Sequence, residues 1–115
     1  MLDEKMSTER DPFRVARAEG DSRELEKIRQ EKLRRSLKAV LASRDGRCVL
    51  WGILSSAGIY RSSFSTEAAV MAFNEGQRNV GLRLLDQILS VDREAFNLMQ
   101  DEANERRERR TGRDD

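Results

Sequence analysis

The longest periodic run of apolar residues in the chain lies between positions 64 and 91. Apolar residues recur there at intervals of three, four and seven, the spacing of an amphipathic helix with one buried stripe. Further apolar side chains widen the stripe, so we expect this helix to pack on more than one side. The predicted stripe consists of Val70, Phe73, Val80, Leu84 and Ile88, widened by Met71, Leu82, Leu85 and Leu89.

Three further helices are predicted around this central helix. A basic helix begins at Asp21 or Ser22 and carries apolar side chains as far as Leu41, and a nearly all-apolar helix covers residues 48–57. A last helix follows Asp92, whose carboxylate is suited to cap a helix N-terminus. Long alternating β-branched runs are absent. The pattern therefore predicts an all-α fold, a small bundle of about four helices.

The ends of the chain differ in composition from its middle. Residues 1–20 are polar and of mixed charge, which predicts a flexible N-terminal arm, although Phe13 and Val15 leave open a fixed element that docks on a neighbour. Residues 21–100 form the predicted helical domain. Residues 101–115 contain six acidic and five basic residues and no large apolar side chain. We expect them to form a charged C-terminal helical tail that either faces solvent and frays or is ordered only against a partner. Along such a helix, Glu102 with Arg106 and Glu105 with Arg109 have the i,i+4 spacing of favourable ion pairs.

A buried core follows from the apolar positions of the predicted helices. Trp51, the single tryptophan, is expected to anchor it, and Cys48 beside it is interpreted as a small buried residue rather than a nucleophile. The predicted core consists of Leu37, Val40, Leu41, Leu50, Trp51, Leu54, Phe73, Val80, Leu84, Leu85, Ile88 and Phe96.

Composition narrows the classes of function. Hydrophobic and charged residues each make up 37% of the chain, and its formal net charge is +1. There is no histidine, the usual general base and metal ligand, and a single cysteine cannot form an internal disulfide or a zinc cluster. No segment approaches the roughly 20 apolar residues of a membrane span. We therefore expect no enzyme activity, no metal, no cofactor and no membrane segment.

The basic helix is the best candidate for contact with phosphate. Residues 23–47 contain nine basic and four acidic residues, and such a local excess favours DNA or an acidic protein surface. The alternative is an ordinary solvated helix face, because no aromatic residue in the segment is available to stack on bases. DNA is therefore a possible partner. The candidate phosphate contacts are Arg29, Lys32, Arg34, Arg35 and Lys38.

A polar insertion interrupts the central helix between Asn74 and Asn79, and it is followed by a second glycine at position 81. A glycine inside a helix costs roughly 1 kcal/mol relative to alanine, so two within six residues indicate close approach of another helix, in the domain or across subunits. Glu75 has no second carboxylate nearby in sequence, which disfavours acid–base catalysis. We expect a homo-oligomer. The predicted interaction motif consists of Phe64, Phe73, Asn74, Glu75, Gly76, Arg78, Asn79 and Gly81.

Several of these residues occur together in a known pattern. Arg47 with VLW at positions 49–51, Ser62–Ser63–Phe64 and the run AFNEGQRNVGL at 72–82 resemble a family of short tailed-bacteriophage proteins, encoded among head and portal assembly genes. The resemblance covers roughly residues 33–100. It implies a protein of the virion or of virion assembly, internal or at the portal vertex, made in the host cytoplasm. Its implied partners are portal or internal virion proteins, and it carries no established catalytic residue.

Overall fold

A computed structural model describes residues 11–114 of the protein and the side chains of residues 11–112. This part of the chain contains α-helices and no strand: α1 (Pro12–Leu41), α2 (Arg44–Ala57), α3 (Ala68–Val91) and α4 (Arg93–Asp114). The predicted all-α fold of about four helices is confirmed. Of the helices described, none is both long and apolar enough to cross a membrane.

The chain divides within α1 into two compact units, residues 1–35 and residues 36–115. In the first unit, the described residues 12–35 are helical and exposed. In the second unit, the last turns of α1 are followed by α2, α3 and α4, and these last three helices contact one another. Every buried residue of the described chain belongs to the second unit.

Helix α1 begins nine residues before the predicted start at Asp21. Asp11 explains the earlier start, because its carboxylate accepts a hydrogen bond from the backbone N–H of Phe13 at 3.1 Å and its carbonyl accepts one from Val15. Phe13 is 78% exposed and Val15 43% exposed, so neither docks in the described part of the chain. Of the predicted N-terminal arm, residues 1–20, residues 12–20 belong to α1 and residues 1–10 lie outside the described residues.

Helix α2 begins at Arg44, four residues before the predicted position. Ser43 is its N-cap, and the Ser43 hydroxyl accepts a hydrogen bond from the Gly46 N–H at 2.9 Å. Gly46 is needed for space and not for an unusual dihedral angle, since a Cβ there would overlap the Val40 carbonyl oxygen. Gly58 ends α2 in the left-handed conformation, with φ of 76°.

The joint between α3 and α4 depends on Asp92. The Asp92 N–H donates to the Ile88 carbonyl at the end of α3, and its carboxylate accepts from the Ala95 N–H at 3.0 Å in the first turn of α4. One residue therefore ends one helix and begins the next, as predicted for the start of α4. At the other end of α3, Glu67 occupies the N-cap position, and its side chain makes no capping hydrogen bond. Ser65 and Thr66, which directly precede it, are residue types that cap helices more often.

The buried apolar core is small and draws on all four helices. It consists of Leu37, Leu41, Leu50, Leu54, Ile59, Ile88, Ala95 and Met99, with Trp51, Leu84, Leu85 and Phe96 among the half-buried residues packed against it. Nine of the twelve predicted core residues thus lie in or against the core. Ile59 of the α2–α3 loop and Ala95 and Met99 of α4 complete it.

Three predicted core residues are wrong, and all three are exposed: Val40 at 41%, Phe73 at 64% and Val80 at 63%. Phe73 and Val80 lie seven residues apart on α3, on a side of the helix that does not face the core. Cys48 is exposed as well, because Leu50 and Leu54 define the buried side of α2.

Candidate interaction surface

Helix α3 has apolar residues on two sides, and only one of them is buried. Gly81 and Ile88 are its buried positions, and they share the side that packs on α2 and α4. Residues 69, 73, 76 and 80 recur at intervals of four, three and four, so they align on one other side. We call the exposed residues of that side the α3 strip: Ala69, Ala72, Phe73, Gly76 and Val80.

The two glycines of the interaction motif have different surroundings. A Cβ at Gly81 would lie 2.5 Å from the Ala57 Cβ and 2.7 Å from the Ile59 Cγ2, so Gly81 permits close approach of α3 to the end of α2. A Cβ at Gly76 would meet nothing within 4 Å in the described residues. The predicted close approach within the domain is therefore made at Gly81 and not at Gly76.

The polar residues of the motif also separate by side. Glu75 and Asn79 are exposed, and Glu75 accepts a hydrogen bond from the Ser63 hydroxyl at 3.5 Å. The i,i+3 and i,i+4 spacing along α3 offers Arg78 and Asn79 as partners of Glu75, but the partner it has, Ser63, comes from the α2–α3 loop. Phe64 in that loop is 74% exposed, and its N–H donates to the Ser62 hydroxyl.

Asn74 and Arg78 are half-buried and line a cleft of about 260 Å³ between α3 and the α2–α3 loop. Gln77 of α3 and the end of α2 at residues 56–58 line it too. The loop contributes Arg61, Ser62 and Ser63. We call this site the arginine cleft.

The candidate phosphate contacts on α1 are all exposed, namely Arg29, Lys32, Arg34, Arg35 and Lys38. Arg29 forms an ion pair with Glu26 at 3.3 Å, one helical turn earlier. Among the described residues, the other four form no ion pair. Their charges are available to solvent.

Sequence reasoning missed an ion-pair cluster between α2 and α4. Arg47 donates to both carboxylate oxygens of Glu102, with Nε–Oε1 at 2.6 Å and the second contact at 3.2 Å. Arg47 also donates to the Leu41 carbonyl at 2.9 Å, while Arg44 pairs with Glu102 at 3.3 Å and with Glu105 at 3.0 Å. These contacts replace the predicted pairs of Glu102 and Glu105 with arginines of their own helix.

The Glu102 side chain is 6% exposed and the Arg47 side chain 12% exposed. The hydrogen bonds from Arg47 lower the pKa of Glu102 below its usual value, against the opposing effect of burial, and the nearby positive charges lower it further. The pKa of Arg47 is raised by the same hydrogen bonds. Each group therefore stabilises the charged form of the other. In the described residues, no group of histidine, cysteine or carboxylate side chains could hold a metal ion.

A family model described as Bbp19-like phage protein matches residues 37–101, more than half of the chain. The chain belongs to this phage protein family. The matched segment starts at the first core residue, Leu37, and contains the α3 strip and the arginine cleft, whereas Arg29 to Arg35 lie outside it. Searches of curated proteins and of solved structures found no match to this Bbp19-like protein.

Proposed function

We propose that this Bbp19-like protein is a non-enzymatic component of the phage particle or of its assembly. In this proposal its helices pack against copies of itself and against a larger virion protein, such as a portal or internal protein, inside the particle or at the portal vertex. Family membership supports the phage association, and the exposed α3 strip supports association by helix packing.

The α3 strip carries the proposal because it combines exposed large apolar side chains with small residues. Phe73 and Val80 are 64% and 63% exposed, so packing against a partner would remove most of their surface from water. Gly76 lies between them and has no side chain, and Ala69 and Ala72, which precede Phe73, have small side chains. Small residues let a second helix approach closely, and large apolar residues supply the area that such contact buries.

The mass of the protein in solution tests this packing. We expect wild-type protein to form a defined oligomer in light scattering that persists at high salt, because apolar contact is not screened by ions. Gly76→Leu should dissociate it, since a leucine side chain would keep the partner helix away. Because Gly76 faces open space, the same change should leave the folded monomer at least as stable.

Gly52→Leu is the matched control. Gly52 is an exposed glycine of α2 with open space around it, so its replacement gives the same gain in helix propensity away from the α3 strip. A Gly76→Leu protein with the wild-type mass would rule out packing through the strip. Mass spectrometry of purified particles of the encoding phage tests the wider role, and absence of the protein from both particles and assembly intermediates would contradict it.

A second candidate function is contact with DNA through the basic part of α1. The observation that favours it is the exposure of Lys32, Arg34 and Arg35 without ion pairs among the described residues. Contact with phosphates releases counterions, so the affinity for a DNA duplex should fall steeply as salt rises. Binding should be abolished in the Arg34→Glu, Arg35→Glu double variant, and its persistence there would exclude this mode.

A further inference from the structure

Most residues that line the arginine cleft have side chains that can donate hydrogen bonds, and two of these side chains carry a positive charge. Arg61 and Arg78 contribute two guanidinium groups, which donate and never accept. Asn74 and Gln77 add amide groups, and Ser62 and Ser63 add hydroxyl groups. No acidic residue is among the described residues that line it. Such a set of groups complements an oxyanion.

The two guanidinium groups are not neutralised in the described chain. Neither Arg61 nor Arg78 forms an ion pair with a described carboxylate. Arg61 instead donates to the Ser55 carbonyl at 3.4 Å. Glu75 reaches the rim of the cleft through its hydrogen bond with Ser63, at 3.5 Å, from an exposed position. The cleft therefore keeps donor capacity for an anion from outside the chain.

The surroundings of the cleft indicate which anion it takes. Val70 lies one helical turn before Asn74, is 42% exposed and is not a residue of the α3 strip. If a partner polypeptide carries an apolar residue next to an acidic one, the acidic side chain would meet the positive charge of the cleft and the apolar side chain would meet this apolar surface. The volume of about 260 Å³ accommodates a side chain rather than a large ligand, since small-molecule sites reach ~300–1,000 Å³.

Charge balance disfavours nucleic acid as the source of the anion. Residues 36–115 contain twelve basic and twelve acidic residues, so this unit presents no excess of positive charge. Binding of a nucleic acid backbone depends on neutralising several phosphates at once, whereas a single carboxylate can be bound by one or two guanidinium groups. We propose that the arginine cleft binds the carboxylate of an aspartate or glutamate on a protein partner, next to an apolar side chain of that partner.

The test is a titration of the labelled protein with the blocked dipeptide acetyl-Phe-Asp-amide, followed by the Nε–Hε NMR signals of its arginines. The neutral dipeptide acetyl-Phe-Asn-amide at equal ionic strength is the control ligand. We expect the acidic dipeptide to shift the Arg61 and Arg78 signals in a saturable way and the neutral one to shift neither. Arg78→Gln should weaken binding about tenfold, as expected for loss of a charged hydrogen bond.

Arg83→Gln is the matched control variant, because Arg83 is an exposed arginine of the same helix that does not line the cleft. It should bind the acidic dipeptide as the wild type does. Equal shifts with the two dipeptides, or equal weakening in the two variants, would overturn the proposal. Arg78-dependent binding of single-stranded DNA without binding of the acidic dipeptide would reassign the cleft to phosphate and overturn it too. The titration is independent of the α3 strip, so it should give the same result in the Gly76→Leu protein.

Discussion

Glu102 places a carboxylate where α4 packs on α2, and Arg47 binds both of its oxygens. Both groups are largely withdrawn from water, so each depends on the other for compensation of its charge. Arg47 further donates to the Leu41 carbonyl at the end of α1. One arginine therefore connects α2, α4 and the last turn of α1 through directional hydrogen bonds.

Replacement of Glu102 by glutamine should destabilise the protein strongly. The change leaves the Arg47 guanidinium largely buried without a counter-charge, and removal of one member of a buried pair typically costs about 3 kcal/mol. Urea denaturation at pH 7 measures the loss. Glu108→Gln is the control, since Glu108 is exposed on the same helix, and its effect should stay within about 0.5 kcal/mol.

The same residue predicts the direction of the acid dependence. The folded-state pKa of Glu102 lies below its value in the unfolded chain, near 4.3 for a free glutamate. The unfolded chain therefore binds the proton first as pH falls, so the stabilisation is complete above this pH and is lost below it. Glu102→Gln should reduce the slope of stability against pH below about pH 4.3. An unchanged slope would show that the acid dependence arises elsewhere.

At the scale of helices, the sequence predicted where the helices lie along the chain better than which of their sides are buried or how they pair with one another. The apolar periodicity identified α2 and α3, and the capping residue Asp92 identified the start of α4. Both signals lie within a few residues of the element that they predict, so they can be read from the sequence. It placed Phe73 and Val80 in the core, because apolar periodicity alone cannot distinguish a core side from an exposed one when a helix carries both. The Arg47–Glu102 pair was missed because its members are 55 residues apart and no local signal connects them.

The packing of α3 on the end of α2 gives a prediction that compares two glycines of one helix. Gly81→Ala places a Cβ 2.5 Å from the Ala57 Cβ and 2.7 Å from the Ile59 Cγ2, which is far inside van der Waals contact. Overpacking costs about 1–3 kcal/mol, and distances this short put the cost at the upper end of that range, above the gain in helix propensity of about 1 kcal/mol. Gly76→Ala receives the gain without the cost. In thermal denaturation the first variant should be less stable than wild type and the second more stable.

The difference in stability between the two variants is the informative quantity, because both make the same chemical change in the same helix. Equal stabilisation by both alanines would mean that α3 does not approach α2 closely at Gly81. It would also remove the contrast on which the separate roles of the two glycines rest, one in the fold and one on the α3 strip.

At the scale of the whole molecule, the division of the chain within α1 separates the buried core from four of the five candidate phosphate contacts. Every buried residue described belongs to the second unit, which begins at Ser36, whereas Arg29, Lys32, Arg34 and Arg35 belong to the first. The sequence placed the boundary of the helical domain at residue 21 because the apolar positions of α1 continue through Leu25 and Ile28. These two side chains are 61% and 56% exposed, so apolar spacing on α1 extends beyond the part that is buried.

A fragment of residues 36–115 should therefore fold on its own. It keeps Leu37 and Leu41 together with the core residues of α2, α3 and α4, so its free energy of unfolding should equal that of the whole chain within about 0.5 kcal/mol. Its circular dichroism should lose the contribution of the helical residues 12–35, and any DNA binding that depends on Arg34 and Arg35 should vanish.

A fragment of residues 42–115 is the control. It lacks both leucines of α1, each worth about 2–5 kcal/mol when its side chain is removed, and should be largely unfolded. If the fragment of residues 36–115 were unfolded as well, the first unit would contribute to the stability of the second.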